Sequence, residues 1–215
     1  MAVTLPNGVV FSLGTTLEVA KTVTGISNAN PGVVSSTAHG YANGDIILLS
    51  SGWQKLNDRL FRVANQASGT FELAGQDTTS TTLYPPGTGA GSAKKVSAWT
   101  QITQVLECTT SGGEMQFATY SFLENDFESQ IPTQHSAMSL QLSIADDPSL
   151  SGYAALKKAA AERAAIPLRA QMPNGSVLYY YGYVSFNETP SMTKNNVMAC
   201  QATFSLMSLP VRYAS

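Results

Sequence analysis

Four side chains in this chain could hold a metal or move a proton: His39, His135, Cys108 and Cys200. A zinc site needs thiolate and imidazole ligands clustered at short spacing. No pair of these four has that spacing, so a zinc site is the weaker expectation. His39 precedes Gly40 in an apparent turn, with Asp45 nearby. A base or metal role competes there with a simpler one, a turn histidine satisfying a backbone group. His135 sits between Gln134 and Ser136 in a long polar stretch and reads as a loop residue. The two cysteines lie far apart with no CxxC, the pattern of buried free thiols made in a reducing cytosol. Gly87-Thr88-Gly89-Ala90-Gly91 could cradle a phosphate only between a strand and a helix. Neither flanks it, so a flexible tract is expected. No acid–base pair or nucleophile set emerges, and an enzyme is the least favoured class. The sequence assigns no catalytic, cofactor-binding or metal residue, and no cofactor.

Two other groups have chemistry of a different kind. Glu124, Asp126 and Glu128 alternate, as on a hairpin, and put three carboxylates on one side. Tyr179, Tyr181 and Tyr183 alternate on one face of a strand, with Leu178, Tyr180, Val184 and Phe186 on the other. That pattern fits a sheet buried on both faces. It also fits a subunit contact, since tyrosine is favoured at interfaces.

The elements that position these residues centre on Asp147–Tyr213. Asp147 is a good N-cap and Pro148 suits the first helical position. Ser149–Ala165 is dense in strong helix formers. Leu150, Tyr153, Leu156, Ala160 and Ala164 form its apolar stripe, and Lys157 would have to snorkel. Ile166 before Pro167 should stop the helix. Ile166–Met172 then reads as a strand, Pro173-Asn174-Gly175 as a turn, and Val177–Phe186 and Val197–Leu209 as long strands. The expected class is mainly β (α+β), with one helix covering a face of an antiparallel sheet.

The rest of the chain divides by character. Met1–Gly14 reads as a mixed arm and Thr15–Thr22 as a strand. In Val23–Lys95, short β runs appear at Gly32–Ala38, Asp45–Ser51, Arg59–Ala64 and Thr70–Ala74, separated by Gly and Asn turns. Strands so spaced suggest a small curved β-barrel. Gln76–Ala93 is rich in Thr, Gly, Ser and Pro and reads as a loop or linker. Ala98–Cys108 and Met138–Ala145 resume strand character. Between them Thr109–Ala137 has aromatics without a clean period, as in a long ordered loop or projecting hairpin, and such loops tend to be functional.

Composition bounds the partners. Of 215 residues, 12% are charged, about half the usual share, which suggests a surface covered in the working state. With 12 basic and 14 acidic residues the formal net charge is −2, and no basic patch favours nucleic-acid binding. The start MAVTLPNGVV lacks the basic segment and apolar core of a signal peptide. No run is long enough to span a membrane, so no membrane insertion is expected.

Four places in this order carry a resemblance. They are Gly14–Lys21, Ser139–Ala145 with the helix that follows, Met172-Pro173-Asn174-Gly175-Ser176-Val177 with the aromatic strand containing Gly182, and Leu209-Pro210-Val211. The chain resembles the tail tube (major tail) proteins of long-tailed, non-contractile bacteriophages over residues 10–22 and 98–213. The resemblance implies a β-sandwich tail-tube fold with one flanking α-helix, built from 1–22 and 98–215. Residues 23–97 form an inserted small β-barrel-like accessory module with its linker, similar to a small β repeat of phage structural proteins.

The same resemblance implies hexameric rings stacked into a tube that conducts DNA. Partners would be further copies of the chain, tape measure, tail tip and tail terminator proteins, and double-stranded DNA in transit without tight binding. The chain would be made in the bacterial host cytoplasm and end in the virion. On this reading Phe117, Tyr120, Phe122 and Phe127 are candidates for contacts between rings. Tyr179, Tyr181 and Tyr183 are candidates for subunit interfaces, and Glu124, Asp126 and Glu128 for the lumen or a ring contact. The alternatives are a tube protein of a related secretion or contractile injection system, and a carbohydrate-binding or adhesive β-module.

Overall fold

Alternating apolar and polar residues dominate this chain, and they build strands wherever one face can be buried. The computed structural model describes residues 5–214. It contains, in chain order, β1 (Val10–Leu17), β2 (Lys21–Val23), β3 (Gly25–Ile26), β4 (Val33–Ser35), β5 (Ile46–Ser51), β6 (Arg59–Ala64), β7 (Thr70–Leu73), β8 (Gly91–Ile102) and β9 (Val105–Ser111). Then come β10 (Met115–Tyr120), β11 (Ser129–His135), β12 (Ser139–Ala145), α1 (Ser151–Glu162), β13 (Ala165–Gln171), β14 (Val177–Ser191), β15 (Ala199–Leu206) and β16 (Val211–Tyr213). The fold is mainly β with one helix, as its sequence predicts.

One curled antiparallel sheet runs β3-β4-β7-β6-β5-β8-β1-β13-β14-β15-β12-β9, with β16 added beside β14 and β2 beside β8. A sheet of this many strands curls rather than staying open. The largest core fills the curl. Phe11, Leu13, Leu168 and Ala170 come from β1 and β13; Leu140, Leu142, Cys200, Ala202 and Phe204 come from β12 and β15. Helix α1 closes it with Tyr153, Leu156 and Ala159. Gly152 lets α1 approach β8 closely, since a Cβ there would lie 2.6 Å from the Gln101 carbonyl oxygen.

A second core is built from buried residues between Val23 and Ala93, including Trp53, Phe61, Phe71 and Tyr84, with Val211 packed against it. A third joins the two regions: Ile46, Leu48 and Leu60 meet Val96, Tyr179 and Tyr213. Strand β8 crosses from one region to the other without a break.

Several boundaries differ from the sequence expectation. Strand β1 starts at Val10, inside the expected arm, because Phe11 and Leu13 alternate into the core. The first four residues of that arm lie outside the described residues. The helix is shorter than Ser149–Ala165. The Asp147 carboxylate accepts from the Ser149 amide and hydroxyl, at 3.0 and 2.6 Å, so it holds a turn before the helix. Leu150 is the N-cap, with no side-chain cap. Arg163 adopts a left-handed φ of 51°, ending α1 early enough for Ala165 to pair with Tyr183. Ala164 therefore falls beyond the helix, while Ala160 stays half-buried against the core beside Tyr153, Leu156 and Ala159. Lys157 reaches outward and pairs with Glu188 at 2.7 Å.

The expected strand Ala98–Cys108 is broken at Gln104, whose φ is 58°, where the chain leaves β8 and enters the edge strand β9. Thr109–Ala137 holds more strand than expected: β9 reaches Ser111, and β10 and β11 pair as a separate hairpin. The Gly87–Gly91 tract is packed rather than flexible. A Cβ on Gly89 would lie 3.1 Å from the Trp53 ring, whose Nε1–H donates to the Pro85 carbonyl at 2.8 Å.

Candidate functional site

The residues first weighed for chemistry stay apart. His39 is buried; its Nε2 meets the Ala67 carbonyl at 2.8 Å and its Nδ1 accepts from the Tyr41 amide at 3.0 Å. It ties two turns, as a turn histidine should. His135 meets the Gly113 carbonyl at 3.0 Å at the base of the hairpin. Cys200 is buried, but Cys108 is exposed, which corrects the expectation of two buried thiols. The reason is that β9 is a sheet edge, so the inward position is left uncovered on one side. Among the described residues, no three His, Cys, Asp or Glu side chains gather as metal ligands.

What the fold does assemble is a set of surfaces. The first is the outer face of the four strands β9, β12, β15 and the C-terminal half of β14. Register places Thr109, Gln141, Thr203 and Ser185 in one row, and Glu107, Ser143, Gln201 and Asn187 in the next. Gln141 and Gln201 are hydrogen-bonded across the face. These residues alternate with Leu140, Leu142, Cys200 and Ala202, which point into the core. The stretch Val96–Leu156 contains no Lys or Arg, and neither do β14 and β15. The face is therefore polar, nearly uncharged and free of cations, with Glu107 its one ionised side chain in these two rows.

Both edges of this four-stranded half are open. β9 ends the sheet. On the other side, β13 pairs with β14 only as far as Tyr183, so Val184–Ser191 has β15 on one side and no strand on the other. Open edges present rows of unpaired N–H and C=O groups that template pairing with another chain. The strands alternate in direction from β14 through β15 and β12 to β9. Strands β9 and β14, at the two ends of this half, therefore run in opposite directions.

The second surface is the hairpin arm. Phe117, Tyr120, Phe122 and Phe127 are all exposed, with Phe127 at 78%, and Leu123 is fully exposed beside them. Tyr120 and Phe122 touch edge to face at 5.6 Å between centroids. Glu124, Asp126 and Glu128 lie in the turn between β10 and β11 rather than alternating along a strand. The arm therefore presents a concentrated apolar surface to solvent.

The third group is the tyrosine stripe, and the structure grades it. Tyr179 is buried against Trp99 and Tyr213, with centroids 6.1 and 5.9 Å away. Tyr181 is half-buried, and Tyr183 is 48% exposed. Burial pushes the Tyr179 phenol pKa up, partly opposed by the nearby Arg169 and Arg62 guanidiniums. Sequence alternation could not find this gradient, because the covering group, Tyr213 with β5 and β6, comes from distant segments. Arg59 fastens that cover: it donates to the Leu209 carbonyl at 3.2 Å and to the Lys55 carbonyl at 2.9 Å.

Among the described residues no helix is long and apolar enough to cross a membrane. A search of curated proteins finds no significant match. A family model described as phage tail tube protein (TTP) matches residues 51–215. The match begins inside the 23–97 region and takes in β6, β7 and β8 as well as everything that follows. The chain belongs to the phage tail tube protein family and is a structural component of the virion.

Proposed function

We propose that copies of this chain join head to tail, β9 of one beside Val184–Ser191 of the next, into rings that stack as the tail tube. The observation that carries this is the pair of open edges flanking a cation-free polar face. Four strands per copy, alternating in direction, let the barrel close with antiparallel pairing throughout and abolish its edges. The ring size of six rests on the family resemblance. The polar rows of Gln, Ser, Thr and Asn then line the bore. Lysines and arginines on a bore wall would bind DNA phosphates and hold the polymer. A wall without them lets DNA slide, and a net charge of about −12 per six-copy ring adds to that.

The arm, leaving the end of β9, docks on another copy through Phe122 and Phe127. Residues 23–97 are the accessory module. They pack on the Tyr179 end of the sheet through Ile46, Leu48 and Leu60, away along β14 from the polar rows at Ser185 and Asn187, which supports a place on the outside of the tube. Tape measure, tail tip and tail terminator proteins complete the assembly. The chain has no catalytic part in it, and it is made in the host cytoplasm before incorporation.

The test is disulfide trapping. Thr109→Cys with Ser185→Cys, in a Cys108→Ser background, should give a ladder of covalent oligomers under oxidation, ending at the closed ring. Negative-stain images of the unmodified chain should show rings or tubes. Monomers at every concentration, with no ladder, would sink the proposal. A mobility-shift assay with duplex DNA should show no tight, salt-sensitive binding.

A further inference from the structure

The arm and one outward patch of the sheet have complementary charge. Residues 109–137 carry four carboxylates, Glu114, Glu124, Asp126 and Glu128, and no Lys or Arg. Three of the four crowd the arm's turn beside the exposed rings of Phe122 and Phe127.

The patch is built on the row Trp99, Tyr179 and Tyr213, with an arginine at each end. The Arg169 guanidinium lies 4.8 Å over the Trp99 ring, and that of Arg62 lies 4.5 Å over the Tyr213 ring. Stacking on a ring fixes a guanidinium and leaves its edge free to donate. Among the described residues, neither arginine has a carboxylate within 4 Å. Arg169 Nε is buried with no hydrogen-bond partner, and Nη2 reaches only Ser12 Oγ, at 3.4 Å. An orphaned buried guanidinium N–H is costly unless a partner arrives. The two cations thus flank Tyr179 from opposite ends of the row. Tyr181 and Tyr183 extend the patch toward the open edge of β14 as partly exposed rings.

We infer that Arg62 and Arg169 form the receptor for the acidic arm tip of another copy, taking carboxylates from Glu124, Asp126 or Glu128 while Phe122 and Phe127 pack on Tyr181 and Tyr183. This deepens the tube reading and rests on it. Register adds continuity. In a row-by-row alignment of β9 with β14, the end of β9 at Ser111 falls at the level of Tyr183, because both share a row with Ser139 and Ser205. The arm of a neighbour therefore begins beside this patch. Charge pairing of this kind sets partner choice and register more than raw affinity.

A charge-swap experiment tests it. One variant reverses the receptor, Arg62→Glu with Arg169→Glu. A second reverses the tip, Glu124→Arg with Glu128→Arg. A third combines them. The critical concentration for polymerisation of the intact chain is read by sedimentation, with thermal unfolding of the monomer as a control on folding. Each single reversal should raise the critical concentration by about tenfold or more, and the combination should recover most of it. High salt should weaken the unaltered chain more than the reversed ones. Absence of polymer from the unaltered chain overturns the tube reading itself. Polymerisation of the unaltered chain with either reversal harmless, or with no recovery in the combination, overturns the receptor alone. If the receptor variant unfolds, Arg62→Gln with Arg169→Gln replaces it against the same tip reversal: a loss in each alone that does not deepen when they are combined supports the pairing, and an additive loss overturns it.

Discussion

Residues 23–97 and the arm at 112–137 are both excursions from the same sheet, and they solve opposite problems. The first encloses its apolar side chains. Trp53, Leu56, Phe61, Phe71 and Leu73 are all buried in a core of its own. The arm encloses none. Its two strands are exposed almost from end to end, rings included. A two-stranded hairpin is marginal alone in water, so under the proposed assembly the arm is completed by what it docks on, whereas residues 23–97 enclose a core of their own. On the proposed assembly, one excursion adds bulk and the other adds contact.

The largest effect should come from the enclosed side. Trp53→Ala or Phe61→Ala leaves a cavity in a full core and should cost about 3–5 kcal/mol in urea unfolding. A loss near zero would mean that this core does not support the fold.

The joint between the module and the sheet should give the next largest effect. Tyr213 Oη accepts from the Arg62 amide at 2.9 Å inside the shared core. Tyr213→Phe strands that amide and should cost about 1–2 kcal/mol, with faster proteolysis between residues 23 and 97. Excising the module, with Thr22 joined to Ala98, bares Tyr179 and Tyr213. We expect it to yield a folded chain only when these are replaced by polar residues, and tubes of smaller outer diameter. Tubes of unchanged diameter with a wider bore would place the module in the wall.

Alkaline pH separates the regions by another route. Tyr41 is buried in the module and donates to the Ala93 carbonyl at 2.8 Å. Burial first, then Glu18 and Asp45, push its pKa up to about 12. A phenol raised above its unfolded value near 10 is neutral in the fold while the unfolded chain ionises. Its stabilisation is complete below about pH 10 and is lost as pH rises toward about 12. Tyr41→Phe should cost about 1 kcal/mol at neutral pH and make the alkaline loss shallower.

The smallest effect on stability should belong to the arm. Phe122→Ala and Phe127→Ala remove exposed rings and should shift monomer unfolding by no more than about 0.5 kcal/mol. The same variants should block tube elongation, read by sedimentation and negative stain. Normal polymerisation would remove the arm from the stacking contact.

Much of the fold was legible because it is written in local pattern. Arg59–Ala64 was found to the residue, and β12 and the Pro173–Gly175 turn nearly so, since alternation and turn chemistry act over a few neighbours. At the start of the helix Asp147 holds a local turn with Ser149 instead of capping it; the C-terminal helix end was misplaced because Arg163 answers to a tertiary demand, the pairing of Ala165 with Tyr183. The exposure of Cys108 was hidden for the same reason, since only the strand order makes β9 an edge.

The sequence by itself determined a mainly β chain with one helix, a cation-free stretch from Val96 to Leu156, an aromatic acidic arm, and the likeness to tail tube proteins that the family match bears out. Which faces look outward was decided only by the tertiary structure. A strand's two faces are equivalent in sequence until the sheet curls and buries one of them. That curl is what sorts Gln141 and Gln201 outward from Leu142 and Cys200, leaves Val184–Ser191 without a strand on one side, and brings Arg62 and Arg169, more than a hundred residues apart, to the two ends of one aromatic row.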